Sequence, residues 1–301
     1  MSKKIYGIIP PIVTPFDANG EIDEKALRQN VQFVLTRGVH GICFGGSTGE
    51  GHTLTSDELE RVAEICAEEA KGQVPVIAGI ITNSTRDAAH KAKLMTKYAI
   101  DALQITPVHY VFKPDETATY NHFKTLSETT DLPILIYNVV PWNYLAPDLL
   151  VKIMTEIPNV KGVKQSAGDL KLFADLMITA PEDSLIFSAV DALLYPSFAM
   201  GSHGTIAANP AAVPGVCVAL WDAVQAGNHK LGREIHEALL RFWNTISADN
   251  LPANVKHALS LQGVDSGLPR APMPKTSDAQ AAKIKAALSE VLKYEKVVEP
   301  A

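Results

Sequence analysis

Eight short apolar runs, separated by longer amphipathic segments, constrain most strongly how this 301-residue chain can fold. Each run is mostly continuous in its apolar character and does not alternate with polar residues, as expected for parallel strands that are covered on both faces. The runs occupy residues 7–13, 41–44, 74–80, 102–105, 133–137, 160–164, 185–188 and 204–207.

The segments between the runs have the periodicity of amphipathic helices. Because each parallel step needs a helical crossover, a strand–helix unit repeated eight times predicts an α/β fold, a closed (β/α)₈ TIM barrel. An open doubly wound sheet is the alternative architecture. The second helix begins with Thr55 and Glu58 at the spacing of a capping box. The predicted helices cover residues 23–37, 55–70, 84–98, 115–129, 146–156, 169–179, 191–200 and 211–225.

The residues that follow the eighth unit exceed what a barrel needs. Helices are predicted at 230–247, 252–261 and 277–294, with a connection rich in proline and glycine at 263–274. We therefore expect a catalytic barrel at residues 1–226 and a helical extension at 227–301 that packs on it. The extension would cap the barrel or form a face for oligomer assembly.

The charge and the apolar content of the sequence limit which binding partners are expected. The net charge is −6 and no basic block stands out, so nucleic acid is not an expected partner. No apolar stretch reaches the length of about 18 residues that a membrane span requires, so we expect no membrane partner. The apolar run near the start contains Pro10, Pro11 and Pro15, which a secretory signal would not carry.

The cysteines indicate the compartment. There are three of them, and they show no C-x-x-C spacing. An odd number cannot all pair within one chain, so a reduced, cytoplasmic setting is expected. They are Cys43, Cys66 and Cys217.

The segment after the second run, residues 45–50, reads GGSTGE. In such barrels the active site lies where the strands end. Glycines let the backbone approach a ligand closely, and the N–H groups around Gly46 together with the Ser47 and Thr48 hydroxyls suit an anion such as a carboxylate. A tight turn with hydroxyl caps is the structural alternative.

The fifth and sixth runs end in Tyr137 and Lys164. A tyrosine at a barrel mouth can relay protons, although it can also simply pack. A lysine that points into a barrel is desolvated, which disfavours the ammonium form and frees the amine as a nucleophile for a carbonyl. The alternative is a lysine that extends to the rim. Lys161 is three residues away and is predicted on the opposite face.

Taken together these segments resemble the dihydrodipicolinate synthase / N-acetylneuraminate lyase family of class I aldolases. The resemblance rests on GSTGE after strand two, IYN after strand five and GVKQS after strand six. It also includes the opening GIIPPIVTPF and the tail with Lys256, Gly263 and Arg270 followed by Ala271 and Pro272. It covers nearly the whole chain and implies a lyase that acts on pyruvate or another 2-oxo acid.

The resemblance implies a role for each matching position. Lys164 would form an imine with the 2-oxo carbon. Ser47 and Thr48, with the backbone at Gly46, would hold the carboxylate. Thr48 would also be one of the catalytic residues. Tyr137 would move the proton. The imine supplies the electron sink, so neither a metal nor a cofactor is expected.

Two further positions follow from the resemblance. Ile206 would line the pyruvate pocket. In the family a second tyrosine after strand four reaches across a subunit interface, and Tyr110 is the candidate here, in a segment about two residues longer than the usual loop. A homotetramer built as a pair of dimers is therefore expected.

The loop after strand five departs from the family pattern. The synthases have an arginine there, whose planar fork pairs with the carboxylate of the second substrate. This chain has Trp142, Asn143 and Tyr144 instead. The difference favours a less charged second substrate, such as an aromatic or sugar-derived one, and Trp142 and Asn143 are candidate contacts. The alternative is that these residues only pack the loop.

Other functions stay open at this stage. A 4-hydroxy-tetrahydrodipicolinate synthase proper, or a 2-keto-3-deoxy sugar acid aldolase or dehydratase, would use the same lysine. A metal-dependent or phosphate-binding barrel would need a ligand cluster or phosphate loop that the sequence lacks. A non-catalytic protein that binds a 2-oxo acid is the third class. Asp191, after the seventh run, is expected to cap a helix.

Overall fold

A computed structural model describes residues 3–295 of the chain. The first two residues of the predicted barrel and residues 296–301 of the predicted extension lie outside this range. Within it, eight parallel strands form one sheet in the order β1-β8-β7-β6-β5-β4-β3-β2. The strands are β1 (Gly7–Ile8), β2 (Ile42–Phe44), β3 (Val76–Ile80), β4 (Ala102–Ile105), β5 (Ile134–Asn138), β6 (Val160–Gln165), β7 (Leu185–Ser188) and β8 (Gly204–Thr205).

The two ends of this sheet meet. β1 pairs with β8, and an isolated parallel bridge joins Pro11, just after β1, to Cys43 in β2. The Cys43 N–H donates to the carbonyl of Pro10 at 2.9 Å, and the Ile12 N–H donates to the carbonyl of Cys43 at 2.7 Å. The sheet is therefore closed, and the predicted barrel is confirmed over the open alternative. β1 is shorter than its apolar run because Pro10 and Pro11 have no N–H for a ladder.

Helices cover the outside of the barrel. The predicted capping box of α2 is present, since Thr55 N–H donates to Glu58 at 2.8 Å and Glu58 N–H donates to Thr55 at 3.2 Å. The helices are α1 (Glu24–Leu35), α2 (Ser56–Ala70), α3 (Thr85–Met95), α4 (Glu116–Ser127), α5 (Pro147–Glu156), α6 (Leu170–Thr179), α7 (Leu194–Ala199), α8 (Ala208–Ala212), α9 (Pro214–Gln225), α10 (His229–Ile246), α11 (Leu251–Ser260) and α12 (Asp278–Val291).

Two predicted helices differ from the structure. The helix expected at 211–225 is two helices, α8 and α9, because Pro214 has no N–H to continue α8 and instead opens α9. The helix expected at 191–200 begins later, at Leu194, and Asp191–Leu193 form a 3₁₀ turn before it.

The core has two layers. One lies inside the barrel, and the other fills the space between the strands and the helices. The inner layer includes Ala102 and Leu135, so the two-residue period of a strand turns Gln104 and Tyr137 inward as well. The inner layer consists of Ile5, Ile9, Cys43, Ile77, Ala102, Leu135, Phe187 and Ile206.

The last helices stay in contact with the barrel. α10 packs on α9 and α12, and α11 packs on α8 and α12. Asn30 on α1 donates to the carbonyl of Asp265, and Arg37 pairs with Glu295 at 2.8 Å. Within residues 3–295, no helix combines the length and the apolar character needed to cross a membrane.

Candidate active site

The side chains of Lys164 and Tyr137 lie against each other at the carboxyl ends of β6 and β5. The two residues are direct partners in the register of these strands. The Lys164 Nζ is 3.7 Å from the centre of the Tyr137 ring, and only 4% of Lys164 is exposed. Lys164 therefore points into the barrel, as predicted, and does not extend to the rim. Lys161 lies on the outer side, half exposed, with Nζ 3.8 Å from Asp183.

Tyr137 connects this lysine to the segment after β2. Its phenolic oxygen is 3.1 Å from the Ser47 hydroxyl oxygen, a hydrogen bond in which either group can donate. Ser47 itself is exposed, whereas Thr48, the next residue, is buried. The structure thus brings Ser47, Thr48, Tyr137 and Lys164, which the sequence singled out separately, to one end of the barrel.

The segment at residues 45–51, here called the carboxylate turn after the role that the resemblance implies for it, is held in part by hydrogen bonds within its own backbone. The Gly51 N–H donates to the carbonyl of Gly46 at 3.0 Å, and the Glu50 N–H donates to that of Ser47 at 3.1 Å. Gly45 has φ of 67°, and a Cβ there would lie 2.6 Å from the carbonyl oxygen of Gly79. Only glycine fits this position, because the backbone is left-handed and β3 passes directly behind it.

Two buried polar groups lie close to this centre. The Cys43 Sγ is 3.7 Å from Oε1 of Gln104, and burial raises the pKa of the Cys43 thiol to about 11, against the opposing charge of Lys164. Gln104 is fully buried, and its Nε2 has no hydrogen-bond partner among the described residues. A Cβ added to Gly46 would lie 3.4 Å from this Nε2, so the amide lies beneath the carboxylate turn. Ile206, predicted to line the pocket, is fully buried in the inner layer.

Asp191 caps a helix, as we expected, but the helix that it caps is α8, which is distant in the sequence. Its carboxylate accepts the N–H groups of Ala208 at 3.1 Å and Asn209 at 2.5 Å, at the start of α8. Burial raises the pKa of Asp191 to about 6, although these N–H groups and the charge of Lys164 favour the ionised form. Asp191 therefore ties the end of β7 to the segment after β8.

The loops after β4 and β5 lie against each other. The Trp142 Nε1 donates to the carbonyl of His109 at 3.0 Å, and the Asn143 Nδ2 donates to that of Val108 at 2.9 Å. Asn143 is fully buried, whereas 64% of Trp142 and 65% of Tyr110 are exposed. The Nδ2 of Asn143 is therefore engaged in loop packing, whereas its buried Oδ1 has no hydrogen-bond partner among the described residues. Tyr110 is largely exposed, in contrast to the buried Lys164.

Tyr144 lies closer to the centre. Its hydroxyl donates to the carbonyl of Ser166 at 3.3 Å. Burial raises the pKa of Tyr144, and the neighbouring Tyr137 adds to this effect. Tyr144 therefore forms part of the wall beside Tyr137.

The sequence reasoning missed a buried ion pair behind the carboxylate turn. The Lys256 Nζ is 2.6 Å from Oε1 of Glu50, and both side chains are almost fully buried. The signal was available, because Glu50 and Lys256 both occur in the segments that carry the resemblance. Among residues 3–295, no cluster of three or more His, Cys, Asp or Glu side chains is arranged to hold a metal ion.

Comparison with known proteins identifies the family of this chain. The model of the dihydrodipicolinate synthetase family matches residues 4–291. The 4-hydroxy-tetrahydrodipicolinate synthases of Methanopyrus kandleri and Maridesulfovibrio salexigens are each 35% identical to this chain, over 92% and 94% of its length and 93% and 97% of theirs. The crystal structure of a dihydrodipicolinate synthase from Bacillus anthracis superposes with a TM-score of 0.90 at 29% identity, covering 95% of this chain and 98% of that one. The chain belongs to the dihydrodipicolinate synthetase family, a family of lyases.

Proposed function

We propose that the protein is a class I aldolase in which Lys164 forms a Schiff base with pyruvate or another 2-oxo acid. The observation that carries the proposal is a single chain of contacts. The Lys164 Nζ lies against the Tyr137 ring, and the Tyr137 hydroxyl bonds Ser47 in the carboxylate turn. A 2-oxo acid has its carbonyl next to its carboxylate. One small molecule can therefore contact Lys164 through its carbonyl carbon and Ser47 through its carboxylate.

The first half of the reaction uses Lys164 and the carboxylate turn. The hydroxyls of Ser47 and Thr48, with the backbone N–H groups beside Gly46, hold the carboxylate. The neutral amine of Lys164 adds to the 2-oxo carbon, and loss of water leaves the imine. Its position supports this role, since Lys164 is buried at the carboxyl end of β6 beside Tyr137.

The second half depends on proton transfer through Tyr137. The protonated imine withdraws electrons, so the adjacent carbon loses a proton and becomes an enamine. The enamine attacks an aldehyde carbon to form the C–C bond, and hydrolysis of the new imine releases the product and restores the amine. The hydrogen bond between the Tyr137 hydroxyl and Ser47 supports this proton-transfer role.

We further propose that the second substrate is a neutral aldehyde or derives from a longer 2-oxo acid by cleavage or dehydration. An aromatic and an amide, Trp142 and Asn143, occupy the place where the synthases carry an arginine. Trp142 is 64% exposed and offers flat apolar surface and no charge. A 4-hydroxy-tetrahydrodipicolinate synthase activity, the name carried by the two curated relatives, is the second candidate.

Assembly and location complete the proposal. Tyr110, Val111, Phe112 and Trp142 form an exposed apolar patch on the two joined loops. Monomeric proteins rarely expose such patches without a partner. We propose that a second copy covers it, within a homotetramer in which Tyr110 completes the neighbour's site.

The three cysteines are free and buried, which favours a cytoplasmic location. We assign the site to residues 1–226 and a supporting role to residues 227–301.

Trapping with borohydride tests the central claim. Incubation with pyruvate and borohydride is expected to add one pyruvate-derived mass per chain, on Lys164. Lys164→Arg should abolish the adduct, whereas Lys161→Arg, the same change on the outer side of the same strand, should leave it intact. An adduct on another lysine, or none with any 2-oxo acid, overturns the mechanism.

A further inference from the structure

Lys256 and Arg270 are part of the family resemblance, yet neither has a place in the reaction proposed above. Both belong to the segment that follows the barrel. Lys256 lies on α11, and Arg270 lies in the connection between α11 and α12. Both contact the carboxylate turn, through the same residue, Glu50.

Glu50 occupies an unusual position in that turn. Its φ of 54° and ψ of 31° place it in the left-handed region, which is unfavourable for a residue with a side chain. It is also fully buried. Such a conformation persists only where the surroundings hold it, so the contacts of the Glu50 carboxylate are part of what shapes the turn.

Both oxygens of that carboxylate are held by the C-terminal segment. Oε1 accepts from the Lys256 Nζ at 2.6 Å, and Oε2 accepts from the backbone N–H of Arg270 at 2.8 Å. The same Nζ donates to the carbonyl of Leu268 at 2.7 Å. It also lies 4.8 Å from the centre of the Phe16 ring. The ammonium group of Lys256 is thus buried and contacts Glu50, Leu268 and Phe16.

A short path leads from this ion pair to the ligand groups. The Glu50 N–H donates to the carbonyl of Ser47 at 3.1 Å, and the Thr14 hydroxyl donates to that of Gly49 at 2.7 Å. Ser47 in turn bonds Tyr137 at 3.1 Å. A shift of Glu50 would therefore move the hydroxyl and N–H groups that face the substrate, without touching Lys164.

Stability alone is a weak reason for this arrangement. A buried ion pair loses the hydration of both charges, and well-packed apolar residues of similar volume often serve a fold equally well. What an ion pair adds is directionality, because its hydrogen bonds hold one orientation of the carboxylate. That property matters where a backbone conformation must be held against its own preference.

We propose that Lys256 is a positioning residue, which acts through Glu50 to hold the carboxylate turn in the shape that binds the carboxylate of the 2-oxo acid. The proposal rests on the function assigned above to Ser47 and Thr48. It gives the C-terminal segment a defined part in substrate recognition. A ligand that lacks the carboxylate should be insensitive to the ion pair.

The test compares two ligands that differ only at that group. Pyruvate carries the carboxylate, and pyruvamide has a neutral amide in its place. The dependence of borohydride trapping on ligand concentration gives an apparent affinity for each. In Lys256→Met the preference for pyruvate over pyruvamide should fall about tenfold or more, because the donors are misplaced. Trapping by pyruvamide should stay within about threefold of wild type.

The matched control is Lys97→Met, which breaks the exposed Lys97–Glu60 pair at 2.8 Å and should leave both affinities unchanged. If Lys256→Met does not fold, the double variant Glu50→Gln with Lys256→Met, which leaves no unpaired charge, replaces it with the same expectation. Equal losses for both ligands, or an unchanged preference in a folded variant, overturn the positioning role. Absence of trapping in the wild type would instead refute the proposed function.

Discussion

The hydroxyl oxygen of Ser47 lies 3.1 Å from the phenolic oxygen of Tyr137, although the two residues are 90 positions apart in the chain. This contact joins the group expected to hold the carboxylate to the group expected to move the proton. Because Tyr137 also covers the Nζ of Lys164, the three residues form one continuous unit. A substitution at one of these three residues should therefore alter the function of the other two.

Tyr137→Phe removes the hydroxyl and keeps the ring over Lys164. Imine trapping with pyruvate should persist, whereas turnover should fall by about 10²-fold, the usual scale of lost acid–base catalysis. Steady-state kinetics beside borohydride trapping measure the two effects separately. Tyr195→Phe makes the same change at a hydroxyl that hydrogen-bonds His229, at 3.3 Å, and should behave as wild type. Wild-type turnover in Tyr137→Phe would remove Tyr137 from the mechanism.

Adding Ser47→Ala to that variant tests whether the contact matters for the reaction. Residues in direct contact show coupling energies of about 0.5–3 kcal/mol, so the double variant should lose less activity than the two single variants predict by addition. A double-mutant cycle in kcat/KM measures this difference. Strict additivity would mean that the bond between Ser47 and Tyr137 has no part in turnover.

The choice of the second substrate should follow from the absent arginine. Without a cationic partner an acceptor carboxylate is poorly stabilised. The kcat/KM for aspartate semialdehyde should therefore be about 10²-fold lower than for a neutral aldehyde, a difference of about 3 kcal/mol in activation free energy. A panel of aldehydes with pyruvate measures the ratio. Trp142→Arg should shift it toward the acidic aldehyde, and Trp142→Phe should not. If aspartate semialdehyde proves the best acceptor, another residue supplies the cation.

The exposed patch predicts how the protein assembles. Phe112 is 60% exposed within it, so Phe112→Asp should weaken association by about tenfold or more, the scale of one large apolar side chain. Light scattering over a dilution series measures this, and activity should fall with the tetramer. Ile178→Asp, at an apolar residue that is 83% exposed on α6 outside the patch, is the control. A fully active monomer at assay concentration contradicts the assembly.

Stability should fall in mild acid because of His122. Burial lowers the pKa of His122 to about 4, from an ordinary value of 6.5, and its Nδ1 is 2.9 Å from the Thr85 hydroxyl. A depressed pKa means that the unfolded chain takes up the proton first. The contribution of His122 is therefore complete above pH 6.5 and is lost as the pH falls toward 4.

Between pH 7.5 and 5 the free energy of unfolding should drop by about 2 kcal/mol more in the wild type than in His122→Gln. Denaturant unfolding at the two pH values gives this difference. Glutamine keeps a polar group near Thr85 and removes the titration. Equal pH dependence in the two proteins would show that His122 is not protonated on unfolding.

Much of the architecture was determined by the sequence alone. Apolar runs that are continuous over a few residues occur where a strand is covered on both faces, so periodicity was enough to locate all eight strands. The residues that end those runs, Tyr137 and Lys164, were placed together for the same reason, since parallel strands bring their carboxyl ends to one edge. Local capping chemistry likewise identified the start of α2 at Thr55.

Only the tertiary structure decided how the distant segments meet. Periodicity did not separate α8 from α9, and it did not show that Asn143 is buried against Val108. Nor did it pair Glu50 with Lys256, which are 206 positions apart. Local pattern records whether a residue is buried, but the identity of its partner depends on which surfaces the folded chain brings into contact, and polar pairs of this kind form only after that contact is made.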